Sequence, residues 1–157
     1  MLTLEGRIRE MVHRFKYGGR PQLAGPLIRL CPWLEGQLGP EPVIVPVPLH
    51  RSRRHQRGYN QAELLARELR KRMTLDAPEG ELVRTVPTPP QVGRDRLRRF
   101  DNVRGAFSWR GARLEGDSIL LVDDVATTGA TLDACASALR AAGSGPVTGV
   151  SIARVNV

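Results

Sequence analysis

Two kinds of periodicity alternate along the chain. Leu4, Ile8, Met11, Val12 and Phe15 recur at helical spacing and predict a helix over 4–15, which Gly18 and Gly19 stop. A second helix is predicted over 23–34, carrying Leu23, Leu27, Ile28 and Leu30 after Pro21. Val43 to Val47 is a short β-branched run, the mark of a buried strand, and Pro46 and Pro48 stiffen its exit. Ala62, Leu65, Ala66, Leu69 and Met73 form one helical stripe. Asn60 and Glu63 stand at its start with capping-box spacing. Glu81 to Val86 reads as a strand, and Ala106 to Trp109 as a short strand or hairpin arm. Ile119 to Val122 is apolar without interruption, as in a strand covered on both faces. The helical period returns with Leu132, Cys135, Ala138, Leu139 and Ala142, and Val147 to Val155 closes the chain as a strand. Strands at 43–47, 81–86, 118–124 and 147–155 alternating with helices predict a single α/β domain with a mostly parallel sheet flanked by helices.

Candidate chemistry gathers where the most apolar strand stops. Asp123 and Asp124 follow Val122 directly, then small and hydroxylic residues lead into a helix. Open α/β sheets bind ligands at the carboxyl ends of their strands. Backbone N–H groups at a helix start attract phosphate, Gly129 admits close approach, and Thr127, Thr128 and Thr131 add hydroxyl donors. A carboxylate pair beside such a cradle would repel phosphate, so it suits the hydroxyls of a ribose, with Mg²⁺ carried in on the substrate. No Lys follows the glycine, which excludes a Walker loop. A phospho-accepting receiver domain also ends a strand in paired Asp, but near its start. The bland alternative is a buried strand ending in a solvated acidic turn.

Charge and composition narrow the partners. The 157 residues carry a net charge of +8, from 22 Arg and 2 Lys against 16 acidic residues. That balance favours an anionic partner: pyrophosphate, nucleotide or nucleic acid. Aromatic residues make up only 4%, so platforms for stacking bases are scarce. Arg51 to Arg57 and Arg94 to Arg104 concentrate the charge, the first as a basic run after a strand end, the second inside a proline-led loop over 88–105. Cys31 and Cys135 are far apart and read as core residues of a reducing cytosol, with no zinc site. No apolar window is long enough for a membrane span, and no signal peptide is apparent, so a cytoplasmic location is expected.

The segment from Ser118 to Leu132 resembles the phosphoribosyl pyrophosphate (PRPP) motif of type I phosphoribosyltransferases. Further pieces are similar to the ComF-like subgroup, which includes competence proteins and a gluconate-utilisation relative. They are Phe15-Lys16-Tyr17-x-Gly19, Val45-Pro46-Val47-Pro48-Leu49, Arg57-Gly58-Tyr59-Asn60-Gln61, Thr88-Pro89-Pro90-Gln91-x-Gly93 and Arg99-x-x-Asn102-Val103-Arg104-Gly105-Ala106-Phe107. The cysteine-rich zinc ribbon common in that subgroup has no counterpart here, and Arg94-Asp95 replaces its usual Leu-Ser.

The resemblance implies a type I phosphoribosyltransferase-like core over 43–157 beneath an N-terminal helical hood over 1–42. It implies that Asp123 and Asp124 hold the ribose of PRPP, and that Ala126, Thr127, Thr128, Gly129, Ala130 and Thr131 hold its 5′-phosphate. Pro46, Val47, Pro48 and Leu49 would form the pyrophosphate loop, and Gln91, Arg94, Arg99 and Asn102 a flexible loop that closes over substrate. Asp123, Asp124 and Arg99 are the implied catalytic residues, with substrate-borne Mg²⁺. The implied activity is transfer of phosphoribose from PRPP to a nitrogen acceptor with release of pyrophosphate. The second class is a non-catalytic accessory of natural transformation that binds PRPP and single-stranded DNA. The acceptor base and assembly into a homo-oligomer are left open.

Overall fold

The computed structural model describes residues 2–3, 6–32, 41–49, 51–85 and 105–154. Its centre is a four-stranded, wholly parallel sheet. The strands are β1 (Leu2–Thr3), β2 (Val43–Pro46), β5 (Ile119–Ala126) and β6 (Val147–Arg154), in the order β1-β6-β5-β2. A separate antiparallel ribbon pairs β3 (Gly80–Arg84) with β4 (Phe107–Gly111). The helices are α1 (Gly6–Tyr17), α2 (Ala24–Arg29), α3 (Arg51–Arg57), α4 (Gln61–Met73) and α5 (Ala130–Ala141).

β5 shows why this sequence makes a central strand. Ile119, Leu120, Leu121 and Val122 are all 1% exposed or less, and successive side chains leave a strand on opposite faces. Leu120 and Val122 join Ile44, Val150 and Ile152 under α1, α2 and α4, through Val12, Phe15, Leu27, Ile28, Leu65 and Leu69. Ile119 and Leu121 join Val45, Val47, Cys135 and Leu139 under α5, with Leu82 and Phe107 of the ribbon. Each such side chain contributes about 1.5–3 kcal/mol on burial, so a strand with four of them is fixed at the middle of the sheet.

Several expectations are corrected. The strand expected over 81–86 is not part of the parallel sheet: Leu82 pairs with Trp109 and Arg84 with Phe107 in the antiparallel ribbon. Only Leu82 of β3 is buried, so one covered face suffices. β5 does not end at the acid pair but runs through both carboxylates to Ala126, because Asp123 and Val125 keep their pairing with Ser151 and Ala153 of β6. Leu2 and Thr3, assigned to the hood, pair with Ala153 and Arg154 as the sheet's edge strand. The second helix is shorter than 23–34: a 3₁₀ turn (Pro21–Leu23) precedes a helix of six residues. The capping box is half formed. Asn60 Oδ1 accepts from Ala62 N–H at 3.0 Å, whereas the Glu63 carboxylate turns to Arg54 at 2.9 and 3.1 Å.

Candidate functional site

The carboxyl ends of β2 and β5 lie side by side, joined to the last rung by Val47 N–H donating to Val122 O at 2.8 Å. Here the chain opens a pocket of 180 Å³. Val47, Pro48 and Leu49 form one wall and Asp123, Asp124, Val125 and Thr131 another. Asn60, Gln61 and Ala62 close it behind, and Lys16, Arg53, Arg57 and Arg84 bring four cations.

Strand alternation sends the two carboxylates in different directions. Asp123 continues the face of Leu121, toward α5, where its charge acts on Cys135. Asp124 continues the face of Val122 and meets α1, with Lys16 Nζ at 3.1 Å from its Oδ1. Burial first, and then the charge of Asp124, push the Asp123 carboxyl up to about 7. The Asp124 N–H, which donates to Asp123 Oδ1 at 2.8 Å, and the Lys16 ammonium pull the other way. Near neutrality Asp123 therefore both holds and releases a proton, a property that clusters at functional sites. Burial also pushes the Cys135 thiol up, with Asp123 adding to the effect, which leaves it an inert core residue.

The loop after β5 is a turn of three residues, Thr127 to Gly129, entering α5. Gly129 caps the helix in the left-handed region with φ 82°, and no side chain of its own occupies the cap. A Cβ there would meet nothing within 4 Å, so the glycine is required by its conformation and not by crowding. The first N–H groups of α5 lack intrahelical acceptors, and Thr128 Oγ1 accepts from that of Ala130 at 3.4 Å; Thr131, in the same first turn, lines the pocket.

Asn60 ties the other wall in place. Its side chain caps α4 and also donates to Val47 O at 3.0 Å, and the residue is 3% exposed. One buried amide thus sets both the start of a helix and the path of the loop over 46–49. The run from Arg51 to Arg57, read as a basic stretch without assigned structure, is helix α3, and its Arg53 and Arg57 face the pocket. Arg84 arrives from β3 with its guanidinium 5.5 Å from the Phe107 ring centre; burial and then the like charge of Arg53 push it below its ordinary value.

Of the residues expected from sequence, Val47, Pro48, Leu49, Asp123, Asp124 and Thr131 converge on the pocket, and Ala126 to Ala130 run from the end of β5 through the adjoining turn into α5. Pro46 instead lines a neighbouring cavity of 240 Å³, between β2, α4 and β3. Gln91, Arg94, Arg99 and Asn102 lie outside the described residues. Sequence alone does not mark Lys16, Asn60 and Gln61 as site residues, though all three fall in the stretches similar to the ComF-like subgroup. Arg84 had no sequence signal at all: a single arginine in a half-exposed strand is ordinarily a solvated one.

No family model matches the chain. Curated relatives do. Competence protein F of Haemophilus influenzae is 37% identical over 102 residues, 64% of this chain and 44% of that protein. Competence protein ComFC of Bacillus subtilis is 30% identical over 139 residues, 87% of this chain and 55% of its own length. The DNA utilization protein YhgH of Escherichia coli is 31% identical over 145 residues, 87% of this chain and 63% of that one. The chain therefore spans about half the length of the curated relatives it matches. Among solved structures, a hypoxanthine phosphoribosyl transferase of Trypanosoma cruzi aligns with a TM-score of 0.46 and 12% identity, over 90% of this chain and 76% of that one. The chain is thus similar, at 30–37% identity over 64–87% of its length, to proteins named for competence and DNA utilization.

Proposed function

We propose that this pocket binds PRPP as its Mg²⁺ complex and transfers phosphoribose to a nitrogen acceptor, releasing pyrophosphate. One observation carries the reading: a carboxylate pair and four cations share one pocket at the junction of a strand end, a stiff proline loop and a helix start. Hydroxyls donate to carboxylates, and phosphates accept from N–H groups and arginines, so a molecule with both must lie across this junction. Asp123 and Asp124 receive the ribose hydroxyls. The turn over 127–129 and the start of α5 receive the 5′-phosphate. The loop over 46–49, with Arg53, Arg57 and Arg84, receives the pyrophosphate. Mg²⁺ bound to that pyrophosphate would enter with it and would supply charge neutralisation there. Among the described residues no group of three His, Cys, Asp or Glu side chains is placed to hold a metal of its own.

In this arrangement the bond from C1 of the ribose to the pyrophosphate oxygen breaks as the acceptor nitrogen approaches C1. The arginines stabilise the departing anion, and the acid pair stabilises the positive charge that develops on the sugar. Exchanging both Asp123 and Asp124 for Asn should keep the fold yet weaken PRPP binding by roughly tenfold or more, since charge-assisted hydrogen bonds contribute about 1.5–3 kcal/mol each. Calorimetry giving the double variant the same PRPP affinity as the wild type would sink the assignment. Turnover is tested by pyrophosphate release from PRPP with nucleobases, ammonia and glutamine as acceptors.

A second reading, a PRPP-binding accessory that handles single-stranded DNA without turnover, is favoured by one surface. Arg53, Arg54 and His55 stand exposed on α3, beside the pocket, and the named relatives serve competence and DNA utilization. Filter binding of single strands at low salt, with no pyrophosphate release under any acceptor, would favour it over the enzyme. A cytoplasmic site of action accords with both readings; among the described residues no helix is long and apolar enough to cross a membrane.

A further inference from the structure

The last turn of α1 borders the pocket, and it is pinned there residue by residue. Tyr59 Oη donates to Phe15 O at 2.5 Å, and Gln61 Nε2 donates to Lys16 O at 3.4 Å. Arg57 donates to Tyr17 Oη at 3.2 Å, lies over that ring at 4.9 Å, and donates to Gln61 Oε1 at 3.3 Å. All three clamping side chains stand at or just before the start of α4, next to the pocket. The clamp fixes the point from which the Lys16 side chain departs. From there Nζ reaches Asp124 Oδ1 at 3.1 Å, with the two side chains 18% and 13% exposed. Docking of α1 does not need this ion pair: Val12 and Phe15 are buried in the core, and the backbone at 15 and 16 is already held.

We infer that Lys16 is a positioning residue for the acid pair, orienting Asp124 and cancelling part of the pair's negative charge so that an anionic sugar phosphate can enter. The inference rests on the substrate reading above and adds to it a residue of the hood. The charged and titratable groups facing the pair are Lys16 from α1, Arg53 and Arg57 from α3, Arg84 from β3 and Cys135 from α5. Of these, Arg57 is engaged by Tyr17 and Gln61, and Lys16 is the cation bonded to Asp124. Its ammonium also opposes the upward push on Asp123, favouring the ionised form that accepts ribose hydroxyls.

Lys16→Met and Lys16→Arg separate charge from packing. In calorimetry with PRPP and Mg²⁺ near pH 7.5, Lys16→Met should bind roughly tenfold or more weakly, while Lys16→Arg stays within about threefold of the wild type. The pH midpoint of PRPP binding should move upward in Lys16→Met, because a lost cation makes the neutral acid easier to form. In the ligand-free protein, ¹³C carboxyl NMR should show Asp123 titrating higher in Lys16→Met than in the wild type. PRPP affinity and pH midpoint equal in Lys16→Met and wild type would overturn the inference. Should the wild type itself give no heat with PRPP, the substrate reading fails alone, and the Asp123 titration decides: a midpoint unmoved by Lys16→Met overturns the positioning role, and a raised one upholds it.

Discussion

Replacing Asp123 with Asn should make the folded protein more stable above neutrality, at the expense of its binding site. The folded state holds the Asp123 proton up to about 7, where an unconstrained carboxyl releases it near 3.8. Between those values the folded chain binds more protons than the unfolded one, so stability falls as pH rises through that window. Above it the penalty is complete. At about 1.4 kcal/mol per pH unit, the interval caps the penalty at roughly 4 kcal/mol. Relaxation and water at this partly exposed carboxyl reduce the expected effect to about 2 kcal/mol. Asn keeps an oxygen for the Asp124 N–H and removes the ionisation. Urea unfolding of both proteins, free of PRPP and divalent ions, from about pH 5 to 8 measures the difference. Wild-type stability should decline relative to the variant by about 1 kcal/mol across that range, the rest of the penalty having accrued below pH 5, and should end below it. A difference that stays flat with pH, or a variant less stable at pH 8, would refute the argument that burial and Asp124 hold this proton.

Asn60→Ala removes a helix cap and the tether on Val47 together, and should cost about 1–2 kcal/mol in urea unfolding. Asn60→Asp keeps the cap but sets a buried carboxylate against Val47 O, so it should recover none of that stability, and calorimetry should show weakened pyrophosphate binding. Gly129→Ala forces a side chain into φ 82° and should destabilise by about 1 kcal/mol through strain alone, since no neighbour crowds it; a neutral result by thermal melting would count against the turn conformation. Arg54→Ala breaks only an exposed ion pair with Glu63 and should change stability by less than about 1 kcal/mol. If single-stranded DNA lies on α3, the same change should weaken filter binding and lower its salt dependence by roughly 0.7 decade per decade of salt for the phosphate lost.

Much of the candidate site is legible in the residues because it is local. Ile119 to Val122 announce a strand covered on both faces. The acids, the hydroxylic turn, Gly129 and the start of α5 follow within a few residues, so their order alone places carboxylates and a phosphate cradle at one strand end. The stripes of α4 and α5 are equally plain, since helical period reports which face is buried. Period does not report the partner. Glu81 to Val86 looks like any short strand, and only the nearness of Phe107 to Gly111 takes it out of the parallel sheet and into a ribbon. Charge is just as silent about local structure: Arg51 to Arg57 reads as a basic run and folds as a helix. Lys16, Arg57 and Arg84 come from three distant segments and become site residues only through the packing of α1, α3 and β3 around the ends of β2 and β5. The raised Asp123 proton depends on the same packing, because burial and the placement of Asp124 and Lys16, and not the Asp-Asp sequence, set how tightly it is held.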